Sequence, residues 1–566
     1  MEDKRLEKRK EFLNPVKDGR SKREKYMVDL RKKRKQQIFR AKRKIELSEE
    51  HKKESLRLSI TEEGTITQTK KSSGMMKEYA EVLYNICPAL FEDDKKLTDK
   101  LGVVKAALEC NEFDGQTYIA LCCYIRVITM TENVMFTEAI IGAGLFPVIM
   151  KMAEADSVES LMLELTWIIA NLTAIENKEL LDYILTEDYG LIKHLSNMIN
   201  HKNIKIVEHA FWAMANLMVG DDAPFQDIFT TNIFDVVGDY LNNSKLPLSL
   251  LRVISWMVGS MAKCKTRSLT FIATLIEFCS TAMFSTDEEA QQESLHCLKH
   301  LIDIEEQDKK LELDKIECIS EMNMMTKVFE FFNPEDKMFT TVLVIIGNLS
   351  ASDSEKIQNQ IFKEKIYNRA AELISQYNLP PSNIKELFWI CANMASCGDK
   401  FAEGFYASPM FQVTIDYIED KPMSDTKREA CWCICNFIAK VGTDIRIEVI
   451  KNHGFISFMF NLLKEAKSFG KLPETILLSI SNLLSTHTFF LENDDKHPLF
   501  EFQSIGGIEH LEDLQTLPNV NIFSLSNKIL KTFYPNGEEE EMYNKEDIEP
   551  EVEEDEEIND NQDICF

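Results

Sequence analysis

The chain has five tryptophans, Trp167, Trp212, Trp256, Trp389 and Trp432, separated by 45, 44, 133 and 43 residues. The long interval is close to three steps of 44. A fixed period of this size marks an array of stacked supersecondary units, so the 566 residues need not be divided among several unrelated domains. Four of the five carry asparagine four positions on, as Trp167/Asn171, Trp212/Asn216, Trp389/Asn393 and Trp432/Asn436. On a helix that spacing puts indole and amide on one face.

From about Met75 to Tyr534 apolar residues recur at i, i+3, i+4 and i+7 with no alternating run, which predicts an all-α fold. Gly144, Gly190, Gly454 and Gly507 fall near expected helix ends, where glycine can take a left-handed terminating conformation. Each unit then reads as one short helix and two longer ones. The third helix carries the Trp/Asn pair, over residues 158–174, 204–219, 384–395 and 426–439. No run of 18 apolar residues free of polar interruption is present, so no membrane insertion is expected. The N-terminus lacks the apolar stretch of a secretory signal, which points to cytosol or nucleus. Cysteines lie mostly within apolar helical runs, without metal-site spacing, and read as buried, reduced thiols. His296 and His300 have i, i+4 spacing but no third ligand, so no metal is expected. No catalytic or phosphate-binding motif appears; the expectation is a non-enzyme without cofactors.

Charge divides the chain into blocks. Residues 1–57 carry 22 basic and 11 acidic side chains, and residues 538–566 carry 1 and 15. Between them lies an acidic body that should repel nucleic acid and attract basic polypeptide, including the chain's own first segment. Residues 58–74 are polar and aperiodic, as in a flexible linker that would let the arm fold back or leave. Residues 75–537 form the helical array, and 538–566 an acidic, disordered-looking tail. Read by itself, the basic arm suits a nuclear-localisation or nucleic-acid segment.

A repeated Trp/Asn pair on the third helices suits an extended basic peptide. Indoles can flank slots for Lys and Arg stems and attract their charged heads, at roughly 0.5–2 kcal/mol each. The Asn amide can pair with a peptide backbone, and Asp221, Glu386 and Glu429 are candidate carboxylates for the basic heads.

The helical units resemble armadillo repeats. The phrases Glu164-Leu-Thr-Trp-Ile-Ile-Ala-Asn171, Glu208-His-Ala-Phe-Trp-Ala-Met-Ala-Asn216 and Arg428-Glu-Ala-Cys-Trp-Cys-Ile-Cys-Asn436 resemble those of the importin-α family. The arm adds to this: Lys17-Asp18-Gly19, then Val28-Asp29-Leu30-Arg31-Lys32-Lys33, then Lys42-Arg43-Lys44 is similar to that family's importin-β-binding domain. The resemblance implies an armadillo-repeat right-handed superhelical solenoid preceded by a basic helical arm. It implies a nuclear import adaptor shuttling between cytoplasm and nucleus. Its partners would be importin-β, proteins with basic nuclear localisation signals, and an exportin that recycles it. By resemblance the major cargo groove would use Trp167, Asn171, Trp212, Asn216, Asp221 and Trp256. The minor groove would use Asn348, Glu386, Trp389, Asn393, Glu429, Trp432 and Asn436. Arg20, Arg23, Leu30, Arg31, Lys32, Lys42, Arg43 and Lys44 would serve importin-β binding and autoinhibition. The chain departs from the pattern at Ser260, in place of Asn after Trp256, at His296 to His300, and at Val344 before Asn348. These should weaken the third rung and bipartite recognition. An armadillo scaffold for adhesion or signalling partners, with the arm as a membrane or nucleic-acid anchor, is the alternative.

Overall fold

The computed structural model describes residues 59–60, 64–67 and 74–535, apart from short stretches around 111, 131–133, 155–157, 220–230, 242–245, 265–267, 304–308, 467–469 and 493. The basic arm, Asp221 and the acidic tail lie outside the described residues. The described chain is all-α except for one small hairpin, and it divides into two compact units between Met394 and Ala395.

In the first unit a row of long helices recurs through the chain. They are α1 (Gly115–Thr129), α2 (Glu159–Leu172), α3 (Ile204–Leu217), α4 (Leu248–Met261), α5 (Glu288–Asp303), α6 (Phe339–Ser350) and α7 (Pro381–Ser396), whose last two residues pass the division. From α1 to α6 each packs directly on the next. Shorter helices such as Leu145–Glu154 and Leu191–Met198 pack alongside, against α2 and α3 respectively. The row helices are therefore covered on more than one side. In α2 every residue from Leu165 to Leu172 is buried, including Thr166 and Asn171. An unbroken apolar face all round is what a helix between packed neighbours requires. The second unit repeats the arrangement with α8 (Asp425–Lys440), α9 (Leu472–Leu484) and α10 (Val520–Phe533), again packed in sequence.

Side chains set the helix starts. Asp114, Asn203, Ser268 and Ser424 accept hydrogen bonds from backbone N–H groups of the first turn, which have no partner within the helix. Gly144, Gly190 and Gly454 hold φ of 70°, 57° and 60° between helices, as their placement suggested. At the fourth such corner the left-handed residue is Gly506, not Gly507, because Gly507 already opens the next helix against Phe502. Lys365 takes the same role at φ 56°, a position that glycine spacing does not reveal.

Part of the segment read as a linker is structured. Ser59–Ile60 pairs antiparallel with Ile66–Thr67, and Gly64 and Thr65 just before the second strand are fastened to the first helices. Lys100, fully buried, donates to Thr65 Oγ1 at 2.7 Å, and the Tyr124 hydroxyl donates to the Gly64 carbonyl at 2.8 Å.

Candidate functional site

The Trp/Asn pairs fall on α2, α3, α7 and α8, with Trp256 on α4 and Asn348 on α6. Their setting is more enclosed than an open ladder. Trp167, Trp256, Trp389 and Trp432 are between 3% and 7% exposed, and only Trp212 is half-buried. Asn171, Asn216, Asn393 and Asn436 are buried as well, while Asn348 is half-buried.

In the first unit the amides bind the preceding row helix. Asn171 donates to Thr129 Oγ1 at 2.9 Å, and Asn348 to Asp303 Oδ1 at 2.6 Å. Asn216 donates to the Ala170 carbonyl at 3.1 Å and Thr173 Oγ1 at 3.4 Å. Asn393 repeats that geometry on the Gly347 carbonyl and Ser350 Oγ, at 3.3 and 3.2 Å. The receiving hydroxyls are themselves held: Thr129, Thr173 and Ser350 each donate to the carbonyl three residues earlier, at Arg126, Ala170 and Gly347. The expected ligand-binding amide is thus also an inter-repeat clamp. For Asn216 and Asn393 the partner is a hydroxyl two residues after the preceding Asn, as in Asn171/Thr173 and Asn348/Ser350. That signal is present in the sequence, but it acquires meaning only when the next helix is laid beside it.

One indole is already paired with a cation. The Arg126 guanidinium lies 4.4 Å from the Trp167 ring centroid, and its Nε donates to Glu164 Oε2 at 2.5 Å. Nη2 and Nη1 reach Cys123 Sγ and Met130 Sδ at 3.4 and 3.5 Å. Arg126 is 1% exposed; burial, the largest influence, opposes its charge, but Glu164 and Cys123 together outweigh it and raise its pKa above the usual arginine value. His209 lies tilted at 44° against the same indole, 4.9 Å between centroids, and Trp212 meets Trp256 edge to face at 5.7 Å. One aromatic pair thus spans α2 and α3 and a second spans α3 and α4.

The remaining candidates have mixed settings. Glu386 is half-buried one turn before Trp389, and Glu429 is 4% exposed one turn before Trp432, accepting from Arg428 Nη2 at 3.4 Å. Ser260 is buried where α4 closes on α5, beside Gly259, whose added Cβ would stand 3.6 Å from the Glu293 carbonyl oxygen. Val344 is half-buried. His296 is exposed and His300 half-buried, and no group of three metal-ligating side chains occurs among the described residues. Cys122, Cys123, Cys279, Cys297, Cys431 and Cys435 are buried free thiols, and burial pushes Cys435 up to about 12. Among the described residues no single helix is long and apolar enough to cross a membrane.

No family model matches the chain. Among solved structures, it is similar to an engineered protein from the Northeast Structural Genomics Consortium, at a TM-score of 0.58 and 16% identity. That match covers 76% of this chain and 98% of the other. A second engineered protein from the same consortium is similar at a TM-score of 0.38 and 16% identity, over 46% of this chain and 97% of the other. The first likeness bears on the fold alone, as an all-α stack of packed helices.

Proposed function

We propose that the chain is an armadillo-type adaptor of nuclear import. In this reading its row helices bind Lys/Arg-rich localisation signals, and residues 12–45 link the cargo to importin-β. The basic cluster Lys42-Arg43-Lys44 competes for the same groove when importin-β is absent, and an exportin returns the empty adaptor from nucleus to cytoplasm. Binding, not catalysis, is the activity, with neither nucleic acid nor membrane as its target. The observation that carries the reading is the Arg126 guanidinium held on Trp167 by Glu164, a basic side chain seated on an indole with a carboxylate one turn before it. The same Glu-x-x-Trp order recurs at Glu386/Trp389 and Glu429/Trp432. Cation–π contact and a desolvated carboxylate are together selective for Lys and Arg.

Burial of four indoles favours the second reading, a scaffold whose Trp/Asn frame serves packing. One titration separates the two. A fluorescent Lys/Arg-rich peptide is added to the full chain and to a full chain with Lys42, Arg43 and Lys44 changed to Ala. The adaptor requires saturable binding by the substituted chain and about tenfold weaker binding by the unaltered one, as expected when a tethered competitor is removed. Absence of binding by the substituted chain leaves the scaffold.

A further inference from the structure

In the row helices after α1 the residue just before the clamp position is small at Ala170, Ala215, Gly259, Gly347, Ala392 and Cys435, whereas α5 departs, with His300 three residues before the acceptor Asp303. Gly347 shows what smallness allows, since a Cβ there would stand 2.0 Å from Cζ3 of Trp389 on the following helix. The hydroxyl clamps fix the register of α1 against this series. Thr129 Oγ1 donates to Arg126 as Thr173 Oγ1 does to Ala170 and Ser350 Oγ to Gly347, and each hydroxyl receives the next Asn. Arg126 therefore occupies the position that is small in the later row helices other than α5. Its side chain lies along the indole of the next repeat and ends on the carboxylate one turn before that indole.

We infer that Arg126 is a built-in occupant of the first basic-side-chain slot, so that a Lys/Arg-rich ligand is read from Trp212 onward and the slot between Trp167 and Glu164 is closed to it. This rests on the peptide-binding reading above and names a residue that sets where recognition begins. Arg126 and Trp167 are almost wholly buried, whereas Trp212 is half-buried. Glu164 is satisfied by the internal guanidinium at 2.5 Å, so an external Arg would have to displace a cation already desolvated and paired. The register is then a property of α1, which lies one repeat before the first Trp.

The test uses the full chain carrying Arg126→Ala, the residue that Ala170 supplies one repeat later. Thermal denaturation is followed while methylguanidinium is titrated at millimolar concentration, with methylammonium as control. The inference requires saturable stabilisation of Arg126→Ala by methylguanidinium, its loss when Glu164→Gln is added, and no such shift in the unaltered chain. If Arg126→Ala does not stay folded, the yield of refolding with and without methylguanidinium is the same test. Absence of rescue, or an equal shift in the unaltered chain, overturns the occupied slot. An alanine scan of a ligand with consecutive Lys/Arg residues, in the Lys42/Arg43/Lys44→Ala background, then reads the register. With Arg126→Ala one further ligand position should become sensitive, by about three- to tenfold; an unchanged scan overturns the register. Failure of all peptide binding would remove the adaptor reading and, with it, the register, while the methylguanidinium result would still decide the slot.

Discussion

At Gly347 a methyl group would stand 2.0 Å from Cζ3 and 2.5 Å from Cε3 of Trp389, and the carbonyl of the same residue accepts from Asn393. Neither the indole nor the clamp can yield without disturbing the other. Gly347→Ala should therefore lower stability by about 1–3 kcal/mol, the usual cost of overpacking a close contact. Gly102, inside the helix Leu97–Glu109, has open space around its Cβ position, so Gly102→Ala should raise stability by about 0.5–1 kcal/mol through helix propensity. Denaturant midpoints of the two variants should move in opposite directions; equal shifts would contradict the packing at Gly347. Both are glycines in helical sequence, and the sequence does not separate them. The Trp/Asn pairs were legible as residues on one helical face. What each faces was not, because Thr129 and Ser350, which receive the amides, lie about 42 to 43 residues earlier in the chain.

Elements were legible wherever a local pattern makes them. The spans expected for the third helices, such as 204–219, differ little from α3 at Ile204–Leu217, since apolar period and capping Asn203 act within a few residues. The hairpin at 59–67 was not legible, because two-residue strands carry no period and their polar composition reads as linker. Tertiary contacts make it. Tyr124→Phe removes the donor to the Gly64 carbonyl while keeping the ring, so amide exchange at residues 64–67 should accelerate with the global midpoint moving by less than about 1 kcal/mol, the net worth of one hydrogen bond. Unchanged exchange there would mean that the Lys100 contact and the burial of Ile66 hold the turn alone.

At the scale of the molecule, each row helix within a unit packs on its neighbours in the row, so stability should behave as a sum of repeat and interface terms. Asn216→Ala, which removes the donor to Ala170 and Thr173, should speed amide exchange in α2 and α3 and leave α9 and α10 unchanged; a uniform change would mean one cooperative unit. The sequence by itself determined that the chain is helical, that it repeats near 44 residues, and where the aromatic and amide side chains stand on each helix. These follow from period and spacing, which are local. Only the tertiary structure decided that four of the indoles are buried, that the amides clamp one repeat to the last, and that Arg126 lies on Trp167. Those outcomes depend on which helix lies beside which, and on the gain from covering large apolar rings and pairing buried polar groups at that contact, across separations of 40 residues or more.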